Sequence, residues 1–220
     1  MAIDNSPRNR QQKALKRKER GRASNTRILI VTEGQTEKNY FEELRSTYRL
    51  SAIVVKASSG TAPKDVVGYA EKLYRNGIGT YGKREFDEVY IVFDKDEHQS
   101  YEIALDLADL LIKKERIKNS RFVFSAIPSN PCFEFWILLH FQDVSTLLHR
   151  DAIFKRVEKY IPEYKKGSKN IYRLTSDKIN DAIKRANKIN KNSDPKSKEL
   201  PYTGIVDLVE RLQKLTSSST

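Results

Sequence analysis

Four short runs of β-branched and aromatic residues alternate with stretches of helical periodicity, and this alternation constrains the fold more than any other feature. The runs cover residues 27–32, 53–55, 86–93 and 121–127. The first, Arg27-Ile28-Leu29-Ile30-Val31-Thr32, is a β-branched run short enough for a strand buried on both faces. Between the runs, Phe41, Leu44 and Tyr48, then Val66, Ala70, Leu73 and Gly77, then Ile103, Leu107, Leu110 and Leu111 recur at helical spacing. Strands separated by helices of a dozen or so residues make βαβ units, hence an α/β fold with a mostly parallel sheet flanked by helices. Ser129-Asn130-Pro131 reads as a further helix start, with Asn130 as N-cap and Pro131 at the first helical position. Its body, residues 133–141, is mostly apolar and should be buried. Beyond Gln142 the pattern is of polar helices without a clear strand, so residues 143–220 are expected as a helical C-terminal region packed on a core of 27–142.

Charge is distributed unevenly. The chain carries 41 Lys+Arg against 29 Asp+Glu in 220 residues, a formal net charge of +12. Residues 1–27 hold nine of the basic side chains and two acids, with only Ile3 and Leu15 to bury. Residues 1–26 are therefore expected as a disordered basic arm. A second basic stretch runs from 165 to 198, beginning with Lys165, Lys166, Lys169 and Arg173. Such clusters suit a polyphosphate, because each neutralised phosphate releases condensed counterions. They equally describe a solvated surface. No apolar run approaches the ~20 residues of a membrane span, and the first residues have no apolar signal region. A single cysteine, Cys132, excludes a disulfide framework and fits a reducing compartment. The expectation is a cytoplasmic protein with no membrane partner.

Ligands of a parallel α/β sheet collect at the carboxyl ends of its strands. Two strands here end in acids: the first in Glu33 and Glu37, the third in Asp94 and Asp96. Two carboxylates about 4 Å apart repel by ~4 kcal/mol at an effective dielectric near 20. A divalent cation relieves that repulsion, and hard oxygen donors favour Mg²⁺ or Mn²⁺. This is chemistry suited to phosphodiesters. Each acid also has a plainer reading, as a helix cap or a partner of the helix dipole. Glu134, one turn into the helix after the fourth strand, either reaches the same metals or only favours that dipole. His98 can serve as a proton donor or lie exposed in a polar loop. Cys132 and His140 read as buried core residues. Gly60 lacks the Gly-Lys-Ser/Thr ending of a P-loop, so ATP hydrolysis by this chain is not expected.

Thr32-Glu33-Gly34 after one strand and Asp94-Lys95-Asp96 after another resemble the two signatures of a Toprim domain, the metal-binding fold of topoisomerases, primases and OLD-type nucleases. The closer resemblance is to the RloB-like family. It is carried by residues 31–37 (Val-Thr-Glu-Gly-Gln-Thr-Glu), by Phe93-Asp94-Lys95-Asp96, and by the block Ser129-Asn130-Pro131-Cys132-Phe133-Glu134-Phe135-Trp136-Ile137-Leu138-Leu139-His140-Phe141. Pro201-Tyr202-Thr203 and Val206 fit as well, so the resemblance covers about residues 25–215. It implies a Toprim-like, Mg²⁺-dependent nuclease of an anti-phage defence or abortive-infection locus, with an ATPase encoded nearby as partner. By similarity Glu33 matches the Toprim glutamate, Asp94 and Asp96 the metal-binding pair, and Glu37 the extra acid of a two-metal arrangement. Glu134 is similar in placement to a further acid. The alternative class is a non-catalytic module that binds nucleic acid, DNA or RNA, or docks onto the ATPase.

Overall fold

The computed structural model describes residues 26–217, apart from 61, 97 and 118. The basic arm expected over 1–26 lies outside the described residues except for Thr26. Strands β1 (Ile28–Thr32), β2 (Ile53–Ala57), β3 (Glu88–Asp94) and β4 (Val123–Asn130) are parallel, in the order β2-β1-β3-β4. A two-residue antiparallel strand, β5 (Tyr202–Thr203), extends the β4 edge through Ser129 and Asn130. The result is an α/β fold with a five-stranded, mostly parallel sheet flanked by helices, consistent with a Toprim-like arrangement.

The side-chain alternation of the central strands builds two cores. Leu29, Val31, Val89, Ile91 and Phe93 face α2 (Pro63–Asn76) and α3 (Tyr101–Arg116). Ile28, Ile30, Tyr90 and Val92 face α1 (Gln35–Thr47), α4 (Phe133–Leu139) and the C-terminal helices α5 (Arg150–Tyr160), α6 (Ile171–Thr175), α7 (Ile179–Asn190) and α8 (Ile205–Ser217). At the centre of this second core Trp136, fully buried, donates its indole N–H to the Tyr40 hydroxyl at 2.9 Å. Tyr40 stands edge-on to Phe41, Phe133 and Tyr172. The second helix stops at Gly77, whose φ of 82° suits glycine and where a Cβ would lie 2.5 Å from the Tyr81 carbonyl oxygen.

Several elements differ from the sequence reading. Asn130 does not cap a helix and Pro131 does not begin one. Asn130 ends β4, and its amide donates to the carbonyls of Ser197 and Leu200 at 3.1 and 2.9 Å, satisfying a loop rather than a helix terminus. The following helix starts at Phe133 and closes at Leu139, two residues short of Phe141. In α3 the buried stripe is Tyr101, Ala104, Leu105, Ala108 and Leu111, while Ile103 and Leu110 are 58% and 62% exposed. The packed stripe mixes small and large side chains, so hydrophobicity alone does not mark the face that meets the sheet. The strand β5 was not legible because two residues have no periodicity.

Candidate functional site

The sheet order reverses between β1 and β3: β2 lies outside one and β4 outside the other. Such a topological switch point opens a crevice at the strand carboxyl ends, and both predicted acidic pairs stand there. Glu33 leaves β1 still paired to its neighbour, its N–H donating to the Val92 carbonyl at 2.9 Å. Its Oε2 accepts the N–H of Asp94 at 3.1 Å, linking the ends of β1 and β3. Glu37, in the first turn of α1, is 6% exposed. Gly34 makes room for it, since a Cβ there would fall 2.6 Å from the Glu37 Oε2. Glu134, in the first turn of α4, is 4% exposed and accepts the Tyr164 hydroxyl at 2.7 Å.

Asp94 and Asp96 do not continue one extended strand. Asp94 closes β3, whereas Asp96 has a φ of 36° in the turn that follows. That turn rests on the end of β4: the N–H groups of Lys95 and Asp96 donate to Ser129 and Pro131 carbonyls at 2.8 and 3.0 Å. Asp96 Oδ2 pairs with Arg150 Nη1 at 2.6 Å. The Oδ1 atoms of both Asp94 and Asp96 are buried and have no hydrogen-bond partner among the described residues.

The five acids Glu33, Glu37, Asp94, Asp96 and Glu134 line one pocket of about 290 Å³, together with Lys166 and Gly167. Burial, and then the neighbouring Glu134 and Glu33, push Glu37 up to about 8. Asp94 is raised well above the usual carboxylate range, first by burial and then by the charges of Glu37, Glu134, Glu33 and Asp96. Glu33 is raised by burial, against the opposing hydrogen bond from Asp94 and the charge of His98. The acids therefore act on one another as a single electrostatic unit.

Of the four predicted phosphate contacts, Lys166 alone lines this pocket; Lys165, Lys169 and Arg173 are exposed outside it. The loop that carries the lysines is docked on α1. Gly167 N–H donates to Thr36 Oγ1 at 2.8 Å, and Asn39 Nδ2 donates to the Gly167 carbonyl at 2.9 Å. His98 comes within 3.8 Å of Glu33 Oε1 and is about one-third exposed, so it borders the site instead of lying apart from it. Cys132 is buried, and its thiol is raised by desolvation and by Glu134, the opposite of what a nucleophilic thiolate requires. His140 is buried behind Trp136, with burial lowering it to about 4, so it is neutral at pH 7. Arg150 and Tyr164 complete the site without any sequence signal, because each reaches its acid from the C-terminal helical region.

Two features of the cluster bear in opposite directions on a divalent cation. Among the described residues, no three His, Cys, Asp or Glu groups stand ready as a ligand set. Arg150 holds Asp96, Tyr164 holds Glu134 and the Asp94 N–H holds Glu33. Yet two buried carboxylate oxygens are orphaned, and the donors are all hard oxygens. The unpaired oxygens and the hard donor set are what a divalent cation would use.

Fold and site together define an α/β protein of Toprim-like architecture with a carboxylate cluster at its switch point. The chain belongs to the RloB-like family, whose model, described as RloB-like protein, matches residues 28–212. No curated protein and no solved structure matches it. No helix among the described residues is long and apolar enough to cross a membrane.

Proposed function

We propose that the protein is a Mg²⁺- or Mn²⁺-dependent nuclease that hydrolyses phosphodiester bonds of DNA or RNA. The observation that carries this reading is the convergence of five carboxylates on the switch point, with two buried oxygens unpaired. Glu33, Glu37, Asp94, Asp96 and Glu134 are the residues that would hold metal. Bound there, a hard divalent cation would polarise a phosphate oxygen and supply hydroxide at neutral pH.

The chain's own groups have separate tasks. Lys166, at the pocket mouth, offers a positive charge to the phosphate. The docking of its loop on Thr36 and Asn39 fixes that charge relative to Glu37. His98 Nε2, beside Glu33 Oε1, is placed to pass a proton to a departing oxygen. Lys165, Lys169 and Arg173 extend positive charge away from the pocket along the path of a longer strand. Membership of the RloB-like family supports a setting in anti-phage defence or abortive infection, with an ATPase encoded nearby as partner.

Replacing Glu33 or Asp94 with Ala should lower Mn²⁺-supported cleavage of a mixed DNA and RNA panel by at least about a hundredfold. Cleavage by Asp94→Ala at the wild-type rate would sink the reading. The Arg150–Asp96 ion pair favours a second reading, a nucleic-acid-binding or ATPase-docking module without catalysis, because it neutralises one of the acids within the chain. Retained nucleic-acid binding with no cleavage under any metal, in the presence of the ATPase, would select that reading.

A further inference from the structure

Beside the acidic pocket lies a second cavity of different chemistry, about 530 Å³ in volume. This is within the ~300–1,000 Å³ range of small-ligand sites. The two pockets share one residue, Asp96. One wall is apolar, formed by Pro131, Leu147 and Leu148; the rim is cationic, formed by Lys95, Arg150 and Lys198. Asp96 takes one Arg150 nitrogen, leaving the rest of the guanidinium fork available. Lys198 is exposed and makes no hydrogen bond or ion pair among the described residues. Lys95 is anchored by donating to the Ser197 carbonyl, which also fixes the loop that carries Lys198. Asn130 is committed to the Ser197 and Leu200 carbonyls, so it shapes the floor and does not greet a ligand.

Three cations around one carboxylate call for an anion, and the proline and two leucines call for an apolar face of the same molecule. A free inorganic anion would leave that wall uncovered, and a neutral apolar ligand would leave the cations unmatched. We propose that this cavity binds one nucleotide unit, its base against Leu147, Leu148 and Pro131 and its phosphate between Arg150 and Lys198. Because Asp96 belongs to both pockets, that unit is the neighbour of the phosphate presented to the carboxylates. The assignment rests on the nuclease reading for its role, but not for its chemistry.

The test is calorimetric titration of the full chain with adenosine 5′-monophosphate, adenosine and inorganic phosphate, in EDTA so that no metal contributes. Lys198→Glu and Leu147→Asp are the variants; Lys198 is exposed and Leu147 half-buried, and circular dichroism checks that both remain folded. The expected result is that the nucleotide binds about tenfold or more tighter than either fragment, and that each variant weakens it by about tenfold or more. Phosphate bound as tightly as the nucleotide, no nucleotide binding, or equal binding by both variants would overturn the assignment. Cleavage of the DNA and RNA panel is measured in parallel. Variant-sensitive nucleotide binding without cleavage leaves the subsite standing and removes the nuclease reading. Cleavage without nucleotide binding does the reverse.

Discussion

The two ends of β3 carry buried acids that are treated in opposite ways. At the start, Glu88 meets the Arg211 guanidinium on α8, with Nε at 3.0 Å from one oxygen and Nη2 at 2.5 Å from the other, and it also accepts the Tyr90 hydroxyl at 2.8 Å. At the finish, Asp94 faces Glu37, Glu134, Glu33 and Asp96, and its Oδ1 meets no donor among the described residues. A buried acid matched by its own protein is part of the architecture. One left among like charges raises the free energy of the folded chain as an ion and so keeps its proton unless a cation balances it. The contrast within one seven-residue strand supports the carboxyl end as the proposed working end.

The largest expected break in this contrast is at the structural end. Arg211→Ala strands Glu88 and should destabilise the protein by about 2–3 kcal/mol in urea unfolding, the buried-pair value of ~3–5 kcal/mol discounted because the arginine is one-third exposed. A loss no larger than that of a surface substitution would show that Glu88 is not held by this pair.

At the working end the sign reverses. Glu37 is raised from 4.5 to about 8, and Asp94 and Glu33 are raised too, so the folded chain keeps protons that the unfolded chain has released. The unfolded state binds fewer protons, and stability therefore falls as pH rises. For Glu37 the fall begins near 4.5 and is complete above about 8. Without metal, Glu37→Gln should match wild type near pH 5 and exceed it by about 1–2 kcal/mol at pH 8. A difference in melting temperature that stays flat across that range would contradict the raised Glu37, which burial causes first and the neighbouring Glu134 and Glu33 second.

The smallest effect is at the mouth. Lys166→Ala should leave stability within about 0.5 kcal/mol and lower the salt slope of nucleic-acid binding by about one unit. Lys165→Ala, outside the pocket, should reduce that slope equally but leave cleavage nearly unchanged. Equal loss of cleavage in both would remove the distinction between pocket and loop.

How far the sequence could be read depended on how locally each feature is encoded. Glu33 with Glu37 and Asp94 with Asp96 fall within a few residues of a buried strand, so the sheet itself brings them to one crevice. The mostly parallel sheet was legible for the same reason, in the alternation of short β-branched runs with helical periods. Arg150, Tyr164, Lys198 and Arg211 were not. They reach β3, α4 and the β3–α3 turn from the C-terminal region, and nothing local distinguishes them from other surface Arg, Lys and Tyr. Asn130 misled because an Asn-Pro pair reads as a helix start, when its amide is used by the loop before β5. In α3 hydrophobicity misled because the buried stripe runs through Tyr101, Ala104 and Ala108 while Ile103 and Leu110 face outward.

The most direct test of the carboxyl end as a cation site is calorimetric titration of Mg²⁺ and Mn²⁺ into metal-free wild type and Asp94→Ala at neutral pH. Saturable micromolar-to-millimolar binding in wild type, lost in Asp94→Ala, is the predicted result. Binding absent from wild type, or equal in the two proteins, would contradict it.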